Sequence, residues 1–147
     1  MTSTSRLLLV GLLASLTSCH GDPTSPSVTD LQRAQASWKA HGLSRYAYRY
    51  ETMGFFNAFD GKAMRLVVLS DTVRSAQFVA TNAAVPGAPG TLPTIDGLFA
   101  TAIAARANGT LVSVTFDPTF GYPTLIELSG PPDASGSILA SAIELLP

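Results

Sequence analysis

The stretch Arg45-Tyr-Ala-Tyr-Arg-Tyr-Glu51 decides the fold of this chain. Tyr46, Tyr48 and Tyr50 alternate with charged or small residues, and a period of two is typical of a β-strand with one buried face. We therefore predict a strand whose tyrosines pack beneath a second layer of structure. An alternative use of the three rings is to stack against a sugar or a peptide.

Further strands are expected on the C-terminal side of this stretch. Apolar runs predict strands over residues 64–69, 73–79, 111–116 and 124–128. The final apolar run, 138–146, fits either a closing strand or a helix, because its alanines are weak strand formers. Short connections rich in Gly, Pro, Asp and Ser separate these runs, which favours an antiparallel sheet.

Two helices are predicted, one before the tyrosine strand and one between the two groups of strands. Thr29-Asp-Leu-Gln32 has the spacing of a capping box, and the first helix spans about 29–41. Thr94 caps the second helix, which spans about 95–107. The predicted fold class is α+β: an antiparallel sheet of five to six strands with two helices packed on one face.

The N-terminal segment predicts where the protein is located rather than a part of its fold. Residues 7–16 form an apolar run that follows Arg6 and is too short to span a bilayer, as in a secretory signal. Leu16-Thr-Ser-Cys19 has the pattern of a bacterial lipobox. We expect residues 1–18 to be a cleaved signal peptide and the Cys19 sulfur to carry lipid. The alternatives are an ordinary secretory signal followed by a chance cysteine, or a buried thiol.

This anchor sets the expected domain organisation and location. Residues 19–28 are polar and rich in Pro and Ser, which predicts a tether, and residues 29–147 form a single α+β domain. The expected location is the bacterial cell envelope, with the membrane as partner through lipid. His20 replaces the aspartate that would resemble an inner-membrane retention signal, which favours the outer membrane, facing the periplasm, in a Gram-negative source. We expect no transmembrane helix, since no other apolar run approaches 20 residues.

The amino-acid composition of the chain limits the classes of partner and cofactor that we expect. The 147-residue chain is 46% hydrophobic and 13% charged with a formal net charge of −1, which is typical of a folded domain. A near-neutral chain lacks the basic surface that nucleic acid binding requires, so no nucleic acid partner is expected. The single cysteine excludes an internal disulfide. No Cys/His cluster and no calcium-type series of acids is present, so we predict no metal site and no cofactor.

Residues suited to catalysis are few, and we predict no catalytic residue. A Ser-His-acid set needs a histidine beside the serine, but His20 lies in the tether and His41 at a helix end. A glycoside hydrolase needs two acids that face one cleft; Glu127 and Glu144 both lie in predicted strands, but chance adequately explains this pair. The alternative that remains is a hydrolase that uses scattered Asp and Glu residues.

The residues best suited to recognition are two loop aromatics and two strand arginines: Phe120, Tyr122, Arg45 and Arg49. The loop 117–123 is predicted to be a hairpin connection held by Asp117, which can present its two rings. The arginines face away from the tyrosines and fit cross-strand charge partners better than an anion site. The preferred function is a non-catalytic envelope module that binds a protein, peptide or glycan, and a purely structural envelope protein is the other alternative.

Several motifs along the chain together resemble one family. They are Trp38, the 46–50 strand, the 65–78 hairpin, the Thr94…Leu98-Phe99 helix start, and Val114-Thr-Phe-Asp117 with Gly121-Tyr-Pro-Thr-Leu-Ile126. Their order over about residues 30–130 resembles a family of small bacterial lipoproteins and secreted domains, the domain of unknown function 6174. In the stretch 51–61 this chain has a Phe-rich segment where relatives often carry a cysteine. The resemblance implies architecture and envelope address, and no activity.

Overall fold

The computed structural model describes residues 26–54, 58–131 and 135–147. In this part of the chain the elements follow in the order α1 (Val28–Ala40), β1 (Arg45–Met53), β2 (Met64–Leu69), β3 (Thr72–Phe78), α2 (Ile95–Ala107), β4 (Leu111–Phe116), β5 (Pro123–Leu128) and β6 (Gly136–Leu145). The predicted signal peptide, Cys19, the tether up to residue 25 and Phe55-Phe56 lie outside the described residues. Neither described helix is long and apolar enough to cross a membrane.

All six strands form one antiparallel sheet in the order β3-β2-β1-β6-β5-β4. Each helix is followed by a three-strand meander, and the two meanders join where β1 pairs with β6. The predicted α+β class and antiparallel sheet are confirmed. The run 138–146, which the sequence left open between strand and helix, lies mostly in strand β6.

The tyrosine side of β1 lies beneath both helices. Trp38 of α1 packs edge-on against Tyr46, with ring centroids 5.3 Å apart. The Tyr46 hydroxyl accepts a hydrogen bond from the Ile95 N–H at the start of α2, 3.1 Å away, and the Tyr48 hydroxyl donates to Pro93 O. The predicted packing of the tyrosines under the helices is confirmed. Because the three rings are buried, they are not available to stack against a sugar or a peptide. Burying each ring stabilises the fold by about 2 kcal/mol.

Hydroxyl caps set where the two helices begin. Ser27 is the N-cap of α1: its Oγ accepts from the Asp30 N–H at 3.1 Å, and the Asp30 carboxylate accepts from the Ser27 N–H at 3.1 Å. The hydrogen bonds from Ser27 lower the pKa of Asp30. The capping box predicted at Thr29 is therefore wrong by two residues, because aspartate takes the role expected of glutamate or glutamine. Thr94 caps α2 as predicted, accepting from the Gly97 N–H at 3.2 Å.

The outer edge of β3 is covered by the chain that follows it. The Phe78 N–H donates to Ala83 O at 2.9 Å, and the Val85 N–H donates to Ala76 O at 3.0 Å. The covering segment uses backbone groups that would otherwise pair with a strand from another molecule. Recognition at the β3 edge by strand addition is therefore blocked at these positions.

Candidate functional site

The side of the sheet opposite the helices is open over the described residues. Arg49 and Glu51 of β1 point to this side because they alternate with the buried tyrosines. Cross-strand pairing places half-buried aliphatic side chains on the same side. These are Val67, Leu69, Leu125 and Leu139. We call this surface the open face.

Arg49 and Glu51 form an ion pair at the centre of the open face. The Arg49 Nη2 lies 3.3 Å from Glu51 Oε2, and the Arg49 side chain is 50% exposed. The predicted cross-strand charge partner of Arg49 is wrong, because the residues opposite it are Arg65 in β2 and Ser141 in β6. Arg45, at the start of the same strand, is exposed and forms no ion pair with another described residue.

A second ion pair crosses β1. Arg65 of β2 donates to the Glu144 carboxylate of β6 through Nε, 3.2 Å from Oε2, and through Nη2. Because β1 lies between these strands, the pair passes above Ala47, which is fully buried. A bulge at Ala142, where φ is +53°, shifts the β6 register so that Glu144 faces Ala47. The hydrogen bonds raise the pKa of Arg65 and lower the pKa of Glu144.

Two depressions meet at the Arg49–Glu51 pair. The β3-side depression has a volume of about 590 Å³. Besides the pair, its walls include Lys62, Ala63, Phe78 and Val79. The β5-side depression has a volume of about 270 Å³ and its walls include Thr124, Leu139 and Ser141. Together the two depressions form a trough across the open face. Apolar side chains line the β3-side part of the trough, and the Arg49–Glu51 pair lies at its centre.

Of the two loop aromatics predicted to be presented, only Phe120 offers surface. Tyr122 is 4% exposed and packs edge-on against Trp38 at a centroid distance of 6.2 Å. Burial raises the pKa of Tyr122. Phe120 is half-buried, with its ring centroid 5.0 Å from that of His41. This loop lies on the helix side of the sheet, so the structure does not bring it together with Arg45 and Arg49.

The loop itself has the predicted conformation. Asp117 Oδ1 accepts from the Thr119 N–H at 2.9 Å and from the Phe120 N–H at 2.7 Å. Gly121 adopts a φ of +79°, and a Cβ added there would lie 2.9 Å from the Ser37 Cβ of α1. Because Gly121 has no side chain, the loop can dock on α1. Packing against the helix therefore explains why glycine lies between Phe120 and Tyr122.

The acidic pair considered for hydrolysis is not assembled. Glu127 accepts a hydrogen bond from the Ser113 hydroxyl, whereas Glu144 is held by Arg65. Glu127 pairs across the ladder with Ser137, at the opposite end of β6 from Glu144. The two carboxylates therefore face different partners on different parts of the open face.

Two aspartates line another depression, at the corner between α1 and β1. It has a volume of about 500 Å³ and includes Asp71 and Asp96. Asp96 accepts a hydrogen bond from Trp38 Nε1–H at 3.2 Å. One of the two carboxylates therefore holds a side chain of the core in place. Within the described ranges no three His, Cys, Asp or Glu side chains gather as metal ligands would.

The sequence model of a family of unknown function (DUF6174) matches residues 30–139. The chain belongs to this family. The DUF6174 match begins in α1 and ends within β6, so it covers most of α1, all of α2, strands β1 to β5, the start of β6 and the Arg49–Glu51 pair. It confirms the resemblance predicted from the motifs. Neither a curated protein nor a solved structure matches the chain.

Sequence reasoning missed most of the trough. The alternation in β1 that identified Arg49 also placed Glu51 on the outer face, and this signal could have paired them. Lys62 and Val79 lie just outside the ends of β2 and β3, and only the strand register brings them beside Arg49. Leu139 reaches the trough because β6 pairs with β1, which local sequence does not encode.

Proposed function

We propose that the protein is a lipid-anchored module of the bacterial envelope that binds a protein partner through its open face and performs no catalysis. The observation that carries this proposal is the trough, whose two depressions meet at Arg49 and Glu51. In an antiparallel sheet with one face in water, the side chains on that face are normally polar. Here half-buried aliphatic side chains lie beside Arg49, and arginine is enriched in protein interfaces relative to the rest of the surface.

Arg49 is the residue best placed to contact a partner. A guanidinium has five N–H donors, and the contact with Glu51 occupies only one of its nitrogens. The remaining donors are available to a carboxylate or carbonyl oxygen of the partner. Arginine combines this planar donor set with a long apolar stem, which makes it frequent among the residues that dominate binding energy.

The proposed anchor keeps this surface close to a membrane. Lipid on Cys19 provides two or three acyl chains, enough for stable attachment. The chain from Cys19 to Val28 can span at most roughly 30 Å. The partner is therefore expected among proteins that reach the same membrane surface.

Site-specific photo-crosslinking in the bacterial host tests the binding surface. A photoreactive amino acid at Ser141, which is exposed on the open face, should give a discrete crosslinked product. The same amino acid at Ala36, which is exposed on α1, is the matched control and should give none. Arg49→Ala should abolish the product at position 141. Equal products at both positions, or a product that is insensitive to Arg49, would reject the open face as the binding surface.

Intact mass measurement tests the anchor separately. The full-length chain from the membrane fraction should have a mature N-terminus at Cys19 with added acyl mass, and Cys19→Ala should not. An unacylated protein in the soluble envelope or extracellular fraction would reject the lipoprotein assignment. That result would leave the crosslinking test of the open face intact.

A further inference from the structure

We propose that the β3-side depression binds an amphiphile with an apolar body and one negative charge, of the kind represented by a long-chain carboxylate. This site lies at one end of the open face, and its occupation does not depend on the protein partner proposed above. Three observations support it: the size and apolar walls of the depression, its net charge, and the state of its backbone amides.

The depression has the size and walls of a small-molecule site. Its volume of about 590 Å³ falls within the range of ligand pockets, which are mostly apolar with a few polar groups. Val79, just after β3, is 44% exposed and lines the depression with its apolar side chain. Ala63, which is half-buried, extends this apolar surface toward the sheet. An alkyl chain lying here would cover side chains that are now in contact with water.

The charges around the depression leave one net positive charge. Arg49 and Glu51 neutralise each other as an ion pair. Lys62 is exposed, lines the same depression and forms no ion pair with another described residue. A ligand with a single carboxylate complements this arrangement, whereas a cationic ligand would be repelled by Lys62.

The backbone around the depression favours an alkyl chain over a peptide. The Val79 N–H already donates to Ala63 O at 2.9 Å, and the Lys62 N–H donates to Phe59 O at 2.9 Å. Neither of these two N–H groups is therefore free to donate to the carbonyl oxygens of a peptide backbone lying along Lys62 and Val79. An alkyl chain has no such groups to satisfy.

Titration of the full-length chain with two amphiphiles of opposite charge tests the site. Sodium dodecanoate and dodecyltrimethylammonium bromide are added below their critical micelle concentrations, and methyl NMR spectra are recorded on the Ala- and Val-labelled protein. We expect saturable shifts of the Val79 and Ala63 methyl signals with dodecanoate and weaker binding of the cation. The residue-resolved signals separate this site from any binding to the apolar run 7–16.

Charge reversal at Lys62 gives the sharpest comparison. Lys62→Glu should weaken dodecanoate binding by about fivefold or more and should strengthen binding of the trimethylammonium compound. Lys39→Glu makes the same charge change on α1 and should leave both affinities unchanged. Val79→Asp, at an exposed position, should remove dodecanoate binding while tryptophan fluorescence shows an intact fold. Equal affinity for the two amphiphiles, or equal effects of the two lysine variants, would overturn the proposal.

Discussion

Raising the pH above 10 should destabilise the domain through the three tyrosines of β1. Burial raises the pKa of Tyr46 to about 12 and the pKa of Tyr50 to about 12, and it raises the pKa of Tyr48 well above its ordinary value. An unfolded tyrosine ionises at about 10. Between these values the unfolded chain binds fewer protons than the folded one, so the free energy of unfolding falls as the pH rises. Below pH 10 both states keep the protons and the effect is absent.

The magnitude is a large part of the stability of a domain. At pH 11 Tyr46 and Tyr50 should each lower the free energy of unfolding by about 1 kcal/mol, and Tyr48 should lower it further in the same direction. Domains are typically stable by about 5–15 kcal/mol. Urea unfolding followed by far-ultraviolet circular dichroism at pH 8, 9, 10 and 11 measures this loss directly. The midpoint should be constant up to about pH 9 and should then fall steeply.

Tyr50→Phe isolates one ionisable group while keeping the ring. The loss of stability between pH 9 and 11 should shrink by about 1 kcal/mol in this variant. Tyr46→Phe is less clean, because it also leaves the Ile95 N–H without its hydroxyl acceptor and so lowers stability at every pH. If wild type and Tyr50→Phe lost the same free energy over this interval, Tyr50 would titrate alike in both states and the burial argument would be refuted.

Three further experiments test the docking of the β4–β5 loop, the α2 cap and the Arg65–Glu144 ion pair. Gly121→Ala should lower the free energy of unfolding by about 3 kcal/mol, because a Cβ at this position meets α1. Gly109→Ala is the control: Gly109 has a φ of +72° but open space around it, so the loss should be about 1 kcal/mol. Both losses are measured by urea titration. Thr94→Ala should cost about 1 kcal/mol by removing the α2 cap, measured as a shift in the thermal midpoint, and Thr94→Ser should restore most of it. A double-mutant cycle on Arg65 and Glu144 should give a coupling of only about 0.5 kcal/mol because the pair is exposed. That coupling should disappear as the pH falls through the lowered pKa of Glu144, and a coupling that persisted in acid would contradict the ion-pair assignment.

Local chemistry in the sequence determines much of the fold. The tyrosine alternation gave the buried side of β1, Thr94 gave the start of α2, and Asp117 with Gly121 gave the conformation of the β4–β5 loop. In each case a residue acts on neighbours within a few positions. Such effects can be derived from sequence spacing without knowledge of the tertiary structure.

The open face could not be derived in this way. The Arg65–Glu144 pair joins strands that are distant in sequence, and it depends on the bulge at Ala142. Tyr122 was expected in a presented loop, but its ring reaches Trp38 because the loop docks on α1. These features depend on strand order and register, which emerge from the whole fold rather than from any short segment.

The position of β6 has a consequence for when the domain can form. Among the described strands it comes last in sequence, yet it lies between β1 and β5 in the middle of the sheet. Until β6 is available, β1 keeps an unpaired edge and the two meanders have no ladder between them. A chain that leaves the ribosome or passes through a translocation channel from its N-terminus cannot complete this sheet early. The topology therefore delays closure of the sheet until β6 itself has emerged, and long-range pairing of this kind makes that step slow.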